Sequence, residues 1–341
     1  MKQRTVLFLV LAACSVCTPG CKKSEEAPSS AASEPDITTL LGSNEAAELQ
    51  LKWPPGNRRV YRLDVIQETE RPVPWFHLPL KHVIRLGVEC AQTATTDREA
   101  GLDFSVVEFG LTEHRTARME FDSQQNPAEE DRKPFTPAFR KWAGAKLRAR
   151  LAAGQRVEQI EDLQPLLNAI WTNSYELSRP LAQGCLREIF YRQLFSPGVW
   201  LPDKSVKPGA NWTAPVELDL GLLGTLVTRA DCVFKGWVEH EQRKCAQIEF
   251  TGPITTRPSP ETLPRQMIAR LGAGEASGTL WLDPKSGVLV DFNLVQKLAI
   301  SFTIPPDAID VGTGLFKVGV QTSAFTQTIN LKLREPVPAT K

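Results

Sequence analysis

"VDFNLVQKLAISFTI", residues 290–304, decides the fold class of this chain. Val290, Phe292, Leu294, Leu298, Ile300, Phe302 and Ile304 all carry even numbers. On an extended backbone successive side chains point to opposite faces, so these seven make one apolar face of a strand. Gln296 interrupts it. "FTQTINLKL", 325–333, has the same pattern, with Phe325, Ile329, Leu331 and Leu333 together and Gln327 as the interruption. If the two strands pair, Gln296 and Gln327 bond to each other. The alternative is that they face a ligand cavity. Buried polar groups are nearly always hydrogen-bonded, which favours the first reading.

The same signal recurs upstream. In "RRVYRLDVIQ" (58–67), Val60, Leu63 and Val65 stand among charges. "KHVIRLGVECA" (81–91) and "LDFSVVEFG" (102–110) follow, divided by a turn-rich break. "TLVTRADCVFKGWV" (225–238) and "CAQIEFTG" (245–252) flank "EHEQRK". Both pairs read as long hairpins, and they resemble one another. Cys90 corresponds to Cys232 at an offset of 142 residues, and Phe104 corresponds to Ala246 at the same offset. "PPGNRRVY" (54–61) resembles "KPGANWTA" (207–214), and 144–160 resembles 278–292. The order of these four features points to a degenerate duplication.

Between the copies, Asp162 is placed to cap a helix whose face is Leu163, Leu166, Leu167 and Ile170. A second stretch, 181–195, puts Leu186, Ile189, Phe190 and Leu194 on one side. Helices set apart from antiparallel strands predict an α+β class. The expected architecture is a β-rich curved sheet or sheets, from two similar β halves with a helical insert between them.

The amino terminus speaks to location. Met1 to Arg4 is basic and Val6 to Ala13 is unbroken apolar sequence, as in an export signal. The run falls far short of the roughly 20 residues a membrane-spanning helix needs. Leu11-Ala12-Ala13-Cys14 resembles the lipobox of bacterial lipoproteins, in which the cysteine receives a diacylglycerol and becomes residue one. Cys14 is the expected lipidation site, with Cys21 in "TPGCKKSEE" the alternative. Competing readings of Cys14-Ser15-Val16-Cys17 are weaker. No βαβ pattern surrounds it, and Thr18 stands where a c-type haem site needs His. Several acyl chains, at about 0.8 kcal/mol per buried CH₂, would hold the chain on a bilayer. Residues 22–36 are Ser, Ala, Glu and Pro without an apolar period, and read to residue 48 they form a tether of roughly 30 Å reach.

The expected organisation is therefore a signal peptide, 1–13 (alternatively 1–20); a lipidated cysteine and tether, 14–48; a first β half, 49–160; a helical segment, 161–198; and a second β half, 199–335. "LPDKSVKPGANW", Leu201 to Trp212, resembles the Leu-Pro, Val, Gly, Trp signature of a bacterial lipoprotein family of unknown function. The resemblance covers roughly residues 50 to 333 and implies no activity. Its residues are turn and strand formers.

The chain holds 40 basic and 39 acidic residues, and loss of Lys2 and Arg4 with the signal leaves 38 against 39. That balance, without a basic stripe, argues against nucleic acid. His77, His82, His114 and His240 are scattered and show no two-histidine metal spacing. No nucleophile elbow, P-loop or dinucleotide fingerprint is present in the sequence. Glu249 and Asp291 are a weak carboxylate pair. Cys90, Cys185, Cys232 and Cys245 remain in the folded part. A Cys232–Cys245 bridge requires the hairpin to turn between Val238 and Glu239. The repeat alignment instead centres the turn near His240 and slips the two apart.

These features predict a non-enzymatic module of the cell envelope, without cofactor or metal, held by an acylated cysteine on the periplasmic face of the outer membrane. Its partner is an unidentified ligand or envelope protein. The alternative is a carrier of apolar ligands or lipids in a half-barrel cavity.

Overall fold

The computed structural model describes residues 46–52, 58–70, 81–96, 99–114, 118–125, 136–151, 157–161, 163, 197–219, 225–257, 268–304 and 319–334. Met1–Asp36 is a unit of its own, outside the described residues, and Ile37–Lys341 carries the fold. The strands are β1 (Arg58–Thr69), β2 (Lys81–Thr96), β3 (Glu99–His114), β4 (Arg118–Asp122), β5 (Lys146–Leu151), β6 (Val157–Glu161), β7 (Asn211–Asp219), β8 (Thr225–His240), β9 (Arg243–Arg257), β10 (Ile268–Asp283), β11 (Val288–Ile304) and β12 (Gly319–Arg334).

All pair antiparallel in one 12-stranded sheet, in the order β6-β5-β3-β2-β1-β12-β11-β10-β9-β8-β7, with β4 alongside β3. The chain starts at the centre with β1, steps outward to β6, begins again at the opposite edge with β7, and returns strand by strand to β12. There β12 pairs with β1 from Val60↔Arg334 to Thr69↔Phe325. This seam makes a single sheet of the two expected β halves.

The even residues of 290–300 and the odd residues of 323–331 face the core, as their alternation requires. In β1 the buried residues are Arg59, Tyr61, Leu63, Val65 and Thr69, while Arg62 and Asp64 face outward. Two bulges shift the alternation. Val107 is the extra residue of β3 opposite Gly87–Val88 and is exposed. Lys235 is the extra residue of β8, so burial passes from even Phe234 to odd Trp237. Each added residue turns the rest of its strand over. Gly278 makes room for an aromatic stack. A Cβ there would lie 2.3 Å from the Phe250 ring, which stacks on Trp200 at 4.0 Å between centroids and also contacts Phe292.

The α+β expectation is corrected to a β-rich class. Among the described residues, helix is confined to α1 (Thr136–Trp142), a 3₁₀ turn at Pro197–Trp200 and the single residue Leu163. Among the described residues of 161–198, no helical insert is evident. Glu161 is spent in the sheet opposite Arg148, Pro197–Trp200 closes the interval, and residues 164–196 lie outside the described residues. The helix α1 sits where no insert was expected. Its Phe139 and Trp142 pack on Phe109, and Phe139 also meets Phe121.

The segment that carried the family resemblance is structural. Val206 bridges Ala47, Gly209 sits at φ +84°, and Trp212 Nε1 donates to the Trp200 carbonyl at 3.1 Å. Strand order repeats on the two sides of the seam, but the pairing does not copy residue for residue. Cys90 faces Phe104, whereas Cys232 faces Phe250 rather than Ala246.

The Cys232–Cys245 bridge is corrected too. The β8–β9 hairpin turns at Glu241–Gln242, which places Cys245 opposite Val238. That is six residues from Cys232, roughly 20 Å along the strand and beyond disulfide reach. Cys90, Cys232 and Cys245 are free and buried. Burial pushes the Cys232 thiol up to about 11 and the Cys245 thiol up to about 12.

Candidate functional site

On the buried face, the pairing of β11 with β12 brings together the two glutamines that interrupt the apolar pattern, and the seam adds a third. Gln296 lies opposite Gln327, and Gln327 lies opposite Gln67. Gln67 Nε2 donates to Gln327 Oε1 at 2.7 Å, and Gln327 Nε2 donates to Gln296 Oε1 at 2.9 Å. This ladder of amides crosses β1, β12 and β11. The same row continues through Ala276 and Gly252, both small, on β10 and β9.

The outer face carries a groove of about 530 Å³ across β10, β11, β12 and β1. Two registered rows build it. In one, Trp281, Asp291, Lys332 and Arg62 stand side by side on successive strands. In the next, Thr279, Asn293, Asn330 and Asp64 do so, and Arg85 of β2 extends the row. The local cause is a bulge. Trp281 faces Asp291 while Leu282 faces Leu289, so Val290 is the extra residue of β11. It turns inward with Leu289 and sets Asp291 outward.

Every charged side chain of the groove has a neighbour within bonding distance. Asp64 accepts from Arg62 Nε at 2.7 Å and from Arg85 Nε at 3.2 Å. The bond to Asp64 pushes the Arg62 guanidinium up from its usual value. Lys332 donates to Glu241 at 2.5 Å, which holds the Glu241 carboxyl below the usual carboxylate range and raises Lys332. Asn293 Nδ2 donates to Asn330 Oδ1. His240 Nε2 lies 3.2 Å from Asp291 Oδ2, and the imidazole stacks on Trp281 with centroids 4.5 Å apart and planes 11° from parallel. The β8–β9 turn aims these groups. Glu241 at φ 49° and Gln242 at φ 59° adopt the left-handed conformation that a two-residue hairpin loop requires, although neither is Gly or Asn. Backbone strain of this kind collects at functional positions. Here it delivers His240 to Asp291 and Glu241 to Lys332.

The residues expected from sequence fare differently. Gln296 and Gln327 bond to each other. His240 and Asp291 join at the groove. Glu249 and Asp291 are not brought together. Their strands are separated by β10, about 10 Å in all, and Glu249 faces Lys235 at 3.3 Å. No group of three metal-ligating side chains occurs among the described residues. Cys14, Cys21, Cys185 and His77 lie outside the described residues, as do the side chains of His82 and His114. The sequence singles out none of Trp281, Asn293, Asn330, Arg62 and Lys332. Their grouping follows from the register, which no single strand encodes.

No protein-family model matches the chain, and no curated protein matches its sequence. Among solved structures it is similar to lipovitellin, from work on lipid–protein interactions, at 10% identity and a TM-score of 0.41. That likeness covers 85% of this chain, which spans 27% of the lipovitellin chain. It is also similar to a DUF1329 family protein from Desulfovibrio piger, at 8% identity and a TM-score of 0.18, over 84% of this chain and 89% of that one. At these values neither likeness assigns a ligand.

The ladder yields a stability prediction. Gln327→Leu removes the donor to the buried Gln296 Oε1, at about 1–3 kcal/mol for a buried group left unmet, and takes one acceptor from the half-buried Gln67 Nε2. Urea unfolding is expected to show a loss of about 1–3 kcal/mol for that variant, and a smaller loss for the triple variant Gln67→Leu, Gln296→Leu, Gln327→Leu.

Proposed function

We propose that this chain is a non-enzymatic binding module of a bacterial envelope, tethered to a membrane by an acylated cysteine and presenting the polar face of its sheet to a ligand. One observation carries the reading. The core lies on one face of the sheet, and the opposite face holds a groove whose charges are already paired. Groups locked before binding lose little freedom when a ligand arrives, and preorganisation of this kind is how a shallow polar site gains affinity. Asp64 sits between two guanidinium groups and Asp291 takes the imidazole of His240. These carboxylates serve to orient. The apolar run before Cys14, and the tether after it, support anchoring with roughly 30 Å of reach from the bilayer. The outer membrane, on its periplasmic side, is the expected site.

The second reading is a carrier of apolar ligands. It is favoured by the glutamine ladder, which places amides on the core-facing side of the sheet beside the small side chain of Ala276 and the side-chain-free Gly252. In this reading the amides meet a lipid's polar end.

Anchoring is checked by growing cells with a clickable fatty acid. Label is expected on the wild-type protein and lost in Cys14→Ala, or in Cys21→Ala if the later cysteine is the acceptor. Label retained in both variants defeats the anchor. Binding is checked on the chain from residue 22, exported behind a cleavable leader and melted in envelope extracts. The water-soluble fraction is expected to raise Tm by several degrees, as binding to the native state requires, and Asn293→Ala/Asn330→Ala is expected to abolish the rise. A rise produced only by the organic extract overturns the polar-face reading in favour of the carrier.

A further inference from the structure

We propose that the outer-face groove binds a neutral oligosaccharide, an inference that rests on the polar-face reading above. The lining carries two cations, Arg62 and Lys332, against two carboxylates, Asp64 and Asp291. The charges cancel, and each is tied to a neighbour, so no net field draws an anion such as phosphate or a polycation. Nucleic acid would need an excess of basic residues on this surface. An apolar molecule would strip water from these polar groups and offer no bond in exchange.

A polyhydroxylated ligand suits what remains. The joined carboxamides of Asn293 and Asn330, beside the carboxylate of Asp64, offer donors and acceptors in planar pairs, the geometry that neighbouring sugar hydroxyls bond best. At the other end of the groove, the indole of Trp281, stiffened by its stack with His240, supplies an aromatic surface for the C–H face of a pyranose. The two rows set one outward side chain from each strand beside the next, ~4.8 Å apart, a step close to the length of one ring along a glycan chain. A ligand with repeating units matches a site with repeating strands. The groove's volume of about 530 Å³ is enough for a few rings.

The test uses the acylated full-length protein in a sugar-free detergent. Chitotetraose, cellotetraose and maltotetraose are titrated by calorimetry and by tryptophan fluorescence, with a sulfated tetrasaccharide as the charged comparison. At least one neutral tetrasaccharide is expected to bind with a Kd below about 1 mM. Asn293→Ala, Asn330→Ala and Trp281→Phe are each expected to weaken it by about tenfold or more, and Thr326→Ala, on the same face outside the groove, to leave it unchanged. Far-UV circular dichroism verifies that each variant is folded, and the two asparagine variants carry the test if Trp281→Phe is not. Three results overturn the proposal: no neutral tetrasaccharide binds wild type, binding survives in all the groove variants, or only the sulfated sugar binds. If the water-soluble extract still stabilises the protein and the groove variants abolish that effect, the saccharide inference fails alone and the binding module stands. If neither occurs, both fail.

Discussion

The first and last strands of the sheet, Arg58–Thr69 and Gly319–Arg334, zip together at its centre, and the rest of the structure depends on that seam. Its register sets both faces at once. Inward, Leu63 meets Leu331, Val65 meets Ile329 and Gln67 meets Gln327. Outward, Arg62 meets Lys332 and Asp64 meets Asn330. A slip of one residue would send each set to the opposite face, burying the charges and exposing the leucines. The pairing also brings two cations face to face, an arrangement that costs stability in itself. Asp64 relieves it on one side and Glu241 on the other. Partners more than 250 residues apart in the chain must meet before any of this forms, so closing the seam is the slow, entropically costly step expected of non-local β topology.

Much of the sheet was legible because alternation is a local property. The even residues of 290–300 and the odd residues of 325–331 name their buried face without reference to any other strand. Legibility failed where a residue is inserted. Phe104 and Phe109 are both buried although their parity differs, because Val107 bulges out between them. The end of the β8–β9 hairpin was obscured for another reason. Two-residue loops usually carry Asn or Gly, and here Glu241 and Gln242 take the left-handed conformation instead, so "EHEQRK" read as a broad turn when four of its six residues belong to strands. The α+β class rested on apolar stripes after Asp162. Among the described residues of that interval, Glu161 pairs in the sheet and Leu163 is buried.

The site was legible only in pieces. Sequence parity put Gln296 and Gln327 each on the apolar face of its own strand, to bond if the strands pair, and the third amide, Gln67, emerged from the seam. His240 stood out as one of four scattered histidines and Asp291 as half of a weak carboxylate pair with Glu249. Nothing in the sequence joins them, because the pairing of β10 with β11 and the turn of the neighbouring hairpin do so in space. Asn293, Asn330 and Trp281 are ordinary outward residues until four strands are laid side by side. A binding surface on a sheet is written across strands, while sequence patterns are read along them.

The seam is tested most directly by cross-strand disulfides on the outer face. Arg62→Cys with Lys332→Cys places two thiols on directly opposed positions, where Cα separations of about 4.5–5.5 Å permit a bridge. Arg62→Cys with Thr328→Cys offsets them by four residues, roughly 13 Å along the strand. After mild oxidation of the folded protein and peptide mapping, the account predicts the 62–332 bridge in high yield and no 62–328 bridge. A missing 62–332 bridge, or a 62–328 bridge in its place, would contradict the central pairing and with it both faces built on that register.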